Sequence, residues 1–319
     1  MPRRRFAVAL LAPPSEAAEV DVLRRAVGVP EPFHVPPHVT LIPPINVAAA
    51  DVDDVCSVLR RSAGAARPVR LDVGPATSFR PETPTLHLAV TGPDMDAVRA
   101  LRGDLRSGPL DRPDVWPFHP HVTICEHAEP SVIDAGLVAM AGYRRSWVVS
   151  SVHLLEQRRG DPAHGDHGRA PWVPVHEEPL GPVGVVGRGG FEVALRAVTM
   201  VEAPVAELLG RDATAPPARP GPRPVVVVAE SAHDRDDLLG AATGVVPRGS
   251  DVARLDRIVV AAEHRGLGVA GHLFRAWCSA AAGDGAHMVL AAEPPDEGAG
   301  RFLTHLGFDR TGGRWIRPI

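Results

Sequence analysis

The chain has 319 residues, a formal net charge of −4, 45% hydrophobic and 23% charged residues, which suits two core-forming domains and excludes an overall basic field for long nucleic acid. All 34 basic residues are arginine, which excludes a lysine Schiff base, a covalent lysyl-nucleotide and a phosphate-loop lysine. Cys56, Cys125 and Cys278 are odd in number and far apart, with neither zinc spacing nor a disulfide framework, as expected for a reducing cytoplasm.

In chain order, the apolar run at 6–12 is at the short edge for a signal peptide and is closed by Pro13 and Pro14. It is expected to be a first strand. Residues 15–28 predict a helix capped by Ser15 and ended by Gly28. HVTLIPPI predicts a strand and residues 48–64 a helix. VRLDVG and TLHLAVTG predict strands, residues 94–108 a helix, HVTICEH a strand, residues 131–142 a helix, SWVVSSVHLLEQR one long strand, and APWVPVHEE closes the first half. PLGPVGVVGRGG, rich in Gly and Pro, suits a connector, giving a first domain at 1–178, a linker at 179–187 and a second domain at 188–319. The second half reads FEVALRAVTMV (strand), PVAELLG (short helix), VVVVAE, DLLGAATGVV and ARLDRIVVAA (strands), GLGVAGHLFRAWCSAAAG (helix), HMVLAAE (strand), DEGAGRFLTHLG (helix) and WIRPI (strand). The proline-rich stretch 212–224 reads as a surface loop. No run is long enough to span a membrane.

The first half contains an echo. FHVPPHVTLI is answered, 83 positions later, by FHPHVTI, so strand, helix and HVT strand occur twice. Period-2 alternation puts the His and Thr of each triplet on one face. Imidazole exchanges protons near neutrality, and a Thr hydroxyl suits a phosphate oxygen. Two such pairs form an acid–base site that needs neither metal nor covalent intermediate. These residues, HVTL at 38–41 and HVTI at 121–124, together with RFAVALLAP and TSFRPETPTLHLAV, resemble the 2H phosphoesterases, in particular their 2′-5′ RNA ligase and cyclic phosphodiesterase branch. The resemblance implies an α+β domain of two antiparallel sheets with flanking helices, arranged as two lobes. It also implies action on 2′,3′-cyclic phosphates or 2′-5′ phosphodiesters at RNA ends or in nucleotides. It carries His38 and His121 over as the acid–base pair, and Thr40 and Thr123 as phosphate binders. His34 and His119 fall outside the motif and read as rim residues.

The second half contains RIVVAAEHRGLGVAGHLF. GLGVAG matches a dinucleotide fingerprint, with Glu293 at the right distance. Three residues separate it from its strand, however, and too little chain follows for a doubly wound sheet. The other reading is R-x-x-G-x-A, Arg265 to Ala270, whose backbone N–H groups would hold a pyrophosphate at a helix N-terminus. This stretch and FLTHLGF resemble the GNAT N-acetyltransferases. The resemblance implies an α/β domain with a mixed central sheet, acetyl-CoA held by Val259, Val260, Arg265, Gly266, Leu267, Gly268, Val269, Ala270 and Gly271, and an amine acceptor. No metal is expected. Where many members have a tyrosine acid, Leu303 stands here, so that acid is absent, replaced by His305 or water, or not required. Glu263 or Asp256 would serve as base, or stand as solvated carboxylates. One alternative is that a single half is catalytic and the other a ligand-binding regulatory module.

Overall fold

The computed structural model describes residues 2–29, 35–158, 170–188, 191–210, 222–247, 249–294 and 296–319. Phe33 and His34 of the first motif, and residues 212–221 of the proline-rich stretch, lie outside the described residues. The chain divides into two units, Met1–Pro182 and Val183–Ile319.

The first unit runs β1 (Arg3–Leu11), α1 (Pro14–Ala26), β2 (His38–Ala48), α2 (Val52–Ala65), β3 (Val69–Ser78), β4 (Leu86–Thr91), α3 (Met95–Leu105), β5 (His121–Cys125), α4 (Pro130–Ala139), β6 (Arg145–Val149), β7 (Ser151–Gln157) and β8 (Trp172–Pro179). Two four-stranded antiparallel sheets result, ordered β2-β1-β7-β8 and β5-β4-β3-β6. The strand–helix–strand units β1-α1-β2 and β4-α3-β5 correspond, and each ends in an edge strand that begins with HVT. One apolar core runs under both lobes: Phe6, Val8 and Leu10 of β1, Val39 and Leu41 of β2, Leu86 and Leu88 of β4, and Val122 and Ile124 of β5. Helix α2 buries Val55, Val58, Leu59, Ser62 and Ala63, the i, i+3, i+4, i+7, i+8 stripe of a helix lying on a sheet.

Two local expectations change. Ser15 does not cap α1. The helix starts one residue earlier, at Pro14, whose missing N–H and fixed φ suit a first turn, and the Ser15 hydroxyl turns to Glu16. Gly28 does close it, at φ +83°. The single long strand expected at 146–158 is two strands in different sheets. β6 pairs with β3, and β7 pairs with β1 and β8. The chain passes from one sheet to the other at Ser150, where an alternating pattern gives way to a strand buried on both faces.

The second unit runs β9 (Gly184–Arg188), β10 (Phe191–Val198), α5 (Ala203–Leu208), β11 (Arg223–Ser231), β12 (Leu238–Val246), β13 (Val252–Val260), α6 (Val269–Gly283), β14 (Met288–Ala291), α7 (Glu297–His305), β15 (Asp309–Thr311) and β16 (Arg314–Pro318). They form one eight-stranded mixed sheet, β15-β16-β14-β13-β12-β11-β10-β9, parallel only between β13 and β14. The Gly/Pro-rich stretch is not all connector, since Gly184–Arg188 pairs with β10 as an edge strand. Helix α6 packs Leu273, Phe274, Trp277 and Ala281 against Val225, Val227 and Leu255 of the sheet, and the Trp277 indole N–H donates to the Val225 carbonyl at 3.0 Å. Gly244 of β12 makes room for that ring: a Cβ there would lie 2.2 Å from the Arg254 carbonyl oxygen and 2.4 Å from Trp277. Among the described residues, no helix is long and apolar enough to cross a membrane.

Candidate active sites

The two HVT triplets repeat each other down to their register. His38 pairs with Leu11 and Thr40 with Ala9 of β1, while His121 pairs with Ala89 and Thr123 with His87 of β4. Each ladder then slips by one residue. Leu41 is passed over before Ile42 meets Val8, and Ile124 before Cys125 meets Leu86. Such a bulge turns two successive side chains the same way. Both triplets therefore show one pattern: half-buried His, buried Val, half-buried Thr, then two buried residues. Val39 and Val122 anchor the core side of the strands, which leaves His and Thr together on the other face.

The prolines before each histidine repeat as well. The Pro37 carbonyl accepts from the Ala12 N–H at 2.9 Å, and the Pro120 carbonyl from the Val90 N–H at 3.1 Å. A residue before proline is held extended, which brings its carbonyl under the imidazole two residues on. His38 Nδ1–H donates to the Pro36 carbonyl and His121 Nδ1–H to the His119 carbonyl, each at 2.7 Å. A carbonyl only accepts, so Nδ1 carries the proton and Nε2 is the nitrogen left for chemistry. The Thr40 hydroxyl lies 3.1 Å from His38 Nε2.

The two rings differ electrostatically. Burial pushes the His38 pKa down to about 4, helped by the nearby Arg24 and His121 and opposed by the Pro36 bond. The His121 pKa is also lowered by burial, but the His119 carbonyl bond and the Glu126 charge work against the shift.

Further residues surround this candidate site and carry no short-motif signal. Arg24, 4% exposed, donates from Nε and Nη2 to the Thr123 carbonyl at 3.3 and 3.1 Å and from Nη1 to the Val35 carbonyl at 2.9 Å. Arg102 donates from Nε to the Leu41 carbonyl at 3.0 Å and lies over the Phe118 ring at 4.6 Å. His87 is buried, stacked on Phe79 at 3.8 Å, with the His121 ring edge-on at 5.2 Å. Phe79 meets His121 edge-on at 4.8 Å. Burial also pushes the His87 pKa to about 4, with the His121 charge adding to it. His119 supplies its backbone to His121, while its own side chain is exposed.

In the second unit, β13 and β14 pair only from Val252–Met288 to Leu255–Ala291. β13 continues to Val260, paired on its other side with β12. Val259 and Val260 thus lie half-buried along an edge where the two parallel strands have parted. A short turn, Ala262–His264, leads to Arg265, whose Nε donates to the Val260 carbonyl at 3.3 Å. Gly266 and Gly268 take left-handed φ of +80° and +84°, and a Cβ at either meets nothing within 4 Å. Gly268 caps α6 without any side-chain hydrogen bond, so the first amides of the helix point outward at its positive end. Leu267 is exposed and Ala270 half-buried. Val269 turns its side chain into the core at 1% exposure, which leaves only its backbone for a ligand, and Gly271 is already helical. Leu303 is buried on α7, His305 is exposed at its end, Glu263 is exposed, and Asp256 is paired with Arg254 at 2.8 Å. A sheet with one parallel pair is not the doubly wound sheet of a dinucleotide fold. This disposes of the fold context that GLGVAG would need for that reading.

Residues 12–161 match the family described as the 2′-5′ RNA ligase superfamily, and residues 203–308 match the acetyltransferase (GNAT) family. Over 126 residues the chain is 29% identical to the "Putative phosphoesterase OB1230" of Oceanobacillus iheyensis, covering 39% of this chain and 72% of that protein. The crystal structure of E. coli LigT complexed with 3′-AMP aligns with a TM-score of 0.42 at 19% identity, over 56% of this chain and 99% of that one. A crystal structure from Desulfovibrio desulfuricans assigned to the GNAT family aligns with a TM-score of 0.31 at 17% identity, over 40% of this chain and 98% of that one. The chain therefore joins a 2′-5′ RNA ligase-like domain of the 2H phosphoesterase type to a GNAT domain.

Proposed function

We propose that the first unit hydrolyses 2′,3′-cyclic phosphates, or related 2′-5′ phosphodiesters at RNA or nucleotide ends, through His38 and His121. The observation that carries this is the matched pair of Nδ1–carbonyl bonds, which commits both rings to act through Nε2. His38, held neutral by burial and by Arg24, takes the proton of the attacking water as its oxygen bonds to phosphorus. His121, whose protonated form Glu126 favours, gives its Nε2 proton to the ribose oxygen as the P–O bond breaks. The Thr40 and Thr123 hydroxyls hold the non-bridging oxygens. The step leaves a phosphomonoester, with the proton moved from one ring to the other, and solvent restores the start. Adenosine 2′,3′-cyclic phosphate and RNA bearing a 2′,3′-cyclic end are the test substrates. Unchanged hydrolysis after both His38→Ala and His121→Ala sinks the assignment.

The second unit is proposed to transfer an acyl group from acetyl-CoA to an amine. The glycine turn fits the cofactor, since two left-handed glycines leave open space in front of the α6 amides. Arg265, Gly266, Leu267, Gly268, Val269, Ala270 and Gly271 would hold its pyrophosphate. The parted edge at Val259 and Val260 would receive the pantetheine amides, and acetyl-CoA supplies the activated acyl group. Calorimetry with acetyl-CoA tests this, and silence at high micromolar concentration ends it. Leu303, buried where many GNAT members place a tyrosine, favours a second reading in which this unit binds acetyl-CoA without turnover. Acetylation of any amine in a panel excludes that reading.

A further inference from the structure

The helices of the two duplicated units reach across to the other repeat. Helix α1 connects β1 to β2 and so belongs by chain order to the repeat of His38. Its Arg24 nevertheless ends on the carbonyl of Thr123, two residues beyond His121 on β5. Helix α3 connects β4 to β5 and belongs to the lobe of His121. Its Arg102 ends on the carbonyl of Leu41, three residues beyond His38 on β2. Each arginine stands in the last turn of its helix.

The reciprocity extends to the approach segments. Arg24 donates to the Val35 carbonyl at 2.9 Å, three residues before His38. Arg102 lies 4.6 Å over the Phe118 ring, three residues before His121. One guanidinium thus ties the segment entering His38 to the strand of His121, and the other ties the segment entering His121 to the strand of His38.

The acceptors explain why such ties are available. Among the described residues, β2 and β5 are edge strands, with carbonyls that no neighbouring strand pairs, and Leu41 is the residue passed over at the bulge. Arginine suits the task because its planar fork sends donors in several fixed directions at once, which an ammonium does not. Both side chains are largely withdrawn from water, at 5% and 12% exposure, and the salt bridges to Asp21 and Asp114 sit on the same guanidinium groups.

We infer that Arg24 and Arg102 form a reciprocal pair of cross-lobe clamps that set the separation and aim of His38 and His121. They are positioning residues for the proposed phosphodiester reaction, on which the inference rests, and act through the strands that carry the two histidines. The arrangement gives each catalytic strand a restraint anchored in the opposite lobe, so that the gap between the rings is fixed by side chains and not by the shared core alone.

The test uses the full-length protein and four variants, Arg24→Lys, Arg24→Met, Arg102→Lys and Arg102→Met. Turnover of adenosine 2′,3′-cyclic phosphate is measured with thermal unfolding and the imidazole proton signals of His38 and His121. Each variant is expected to lower kcat roughly 10- to 100-fold, as misplacement of reacting groups does, with KM changed by less than about threefold. Lysine is expected to restore little, because it keeps the charge and loses the fork. The His121 signal is expected to move in the Arg24 variants, beside that of His38, whose ring feels the Arg24 charge directly, and the His38 signal is expected to move in the Arg102 variants. The clamp is overturned if kcat survives in variants that remain folded, if lysine restores it, or if only same-lobe signals move. If the unsubstituted protein does not turn over the cyclic phosphate, the reaction is wrong, and the crosswise ring signals alone decide the clamp.

Discussion

His38 and His121 are held by the same bond, Nδ1–H to the carbonyl two residues upstream, at the same 2.7 Å. Each is preceded by a proline whose own carbonyl is fixed by a backbone N–H, that of Ala12 just past β1 or that of Val90 in β4. Tautomer and ring direction are thus set by backbone, and the only free choice left to each ring is whether Nε2 is protonated. Replacing either histidine by glutamine is expected to cut kcat on adenosine 2′,3′-cyclic phosphate by about 10²–10⁴-fold. The double variant should lose little more than the worse single one, because the two rings act as one unit. Steady-state kinetics on the three variants check both statements, and additive losses would contradict the second.

The pH profile follows from the unequal rings. His38 must be neutral to act as base, and its pKa is lowered to about 4. His121 must be protonated to act as acid, and its pKa is lowered from 6.5. The acid limb of kcat/KM is therefore expected near pH 4, where His38 gains its proton. The alkaline limb is expected below pH 6.5, where His121 loses its own. The optimum lies between them, more acidic than two ordinary histidines would give, and an optimum above pH 7 would reverse or remove the assigned roles.

His87 makes a stability prediction that does not depend on activity. Its pKa is about 4 when folded, against 6.5 for an ordinary histidine. The unfolded chain therefore binds the extra proton more readily, and stability is present in full above 6.5 and lost as pH falls toward 4. The effect is on the order of 3 kcal/mol. Phenylalanine at this position keeps an aromatic ring against Phe79 and has no proton to bind. Urea unfolding at pH 7, 5.5 and 4.5 should show a smaller acid loss in His87→Phe than in the unsubstituted protein. Equal losses would place the acid sensitivity elsewhere.

What the sequence made legible here was local, and what it hid was relational. HVT twice, with proline before it, can be read by eye because strand period and proline geometry act over a few residues. The bulges at Leu41 and Ile124 cannot, since a bulge is a mismatch between two strands. His87 looks like any histidine in an apolar strand until the register sets it beside Thr123, where the other lobe has only Ala9 beside Thr40. Arg24 and Arg102 read as ordinary helix-end arginines, because their partners lie in the other repeat. The split of residues 146–158 into β6 and β7 was hidden for a similar reason. Continuous apolar character does not say which of two sheets a strand joins.

The glycine turn separates the acyl-CoA reading from the dinucleotide one. Gly266 and Gly268 sit at left-handed φ, where an L side chain costs about 1–2 kcal/mol. No neighbour lies within 4 Å of either added Cβ, so the alanine variants are expected to fold with that modest loss. Their acetyl-CoA affinity should fall roughly tenfold or more, because the methyl occupies the face offered to the pyrophosphate. Gly271 is the contrast. A dinucleotide fingerprint needs its third glycine for close packing of helix on strand, but here the added Cβ meets only the Arg275 guanidinium at 3.6 Å. Gly271 would serve the pyrophosphate through its backbone alone, which alanine keeps, so Gly271→Ala is expected to retain acetyl-CoA binding and to stabilise α6 by about 0.5–1 kcal/mol through its better helix propensity. Calorimetry and thermal unfolding on the three variants decide it. Binding lost at Gly271 but kept at Gly266 and Gly268 would reverse the assignment of the turn.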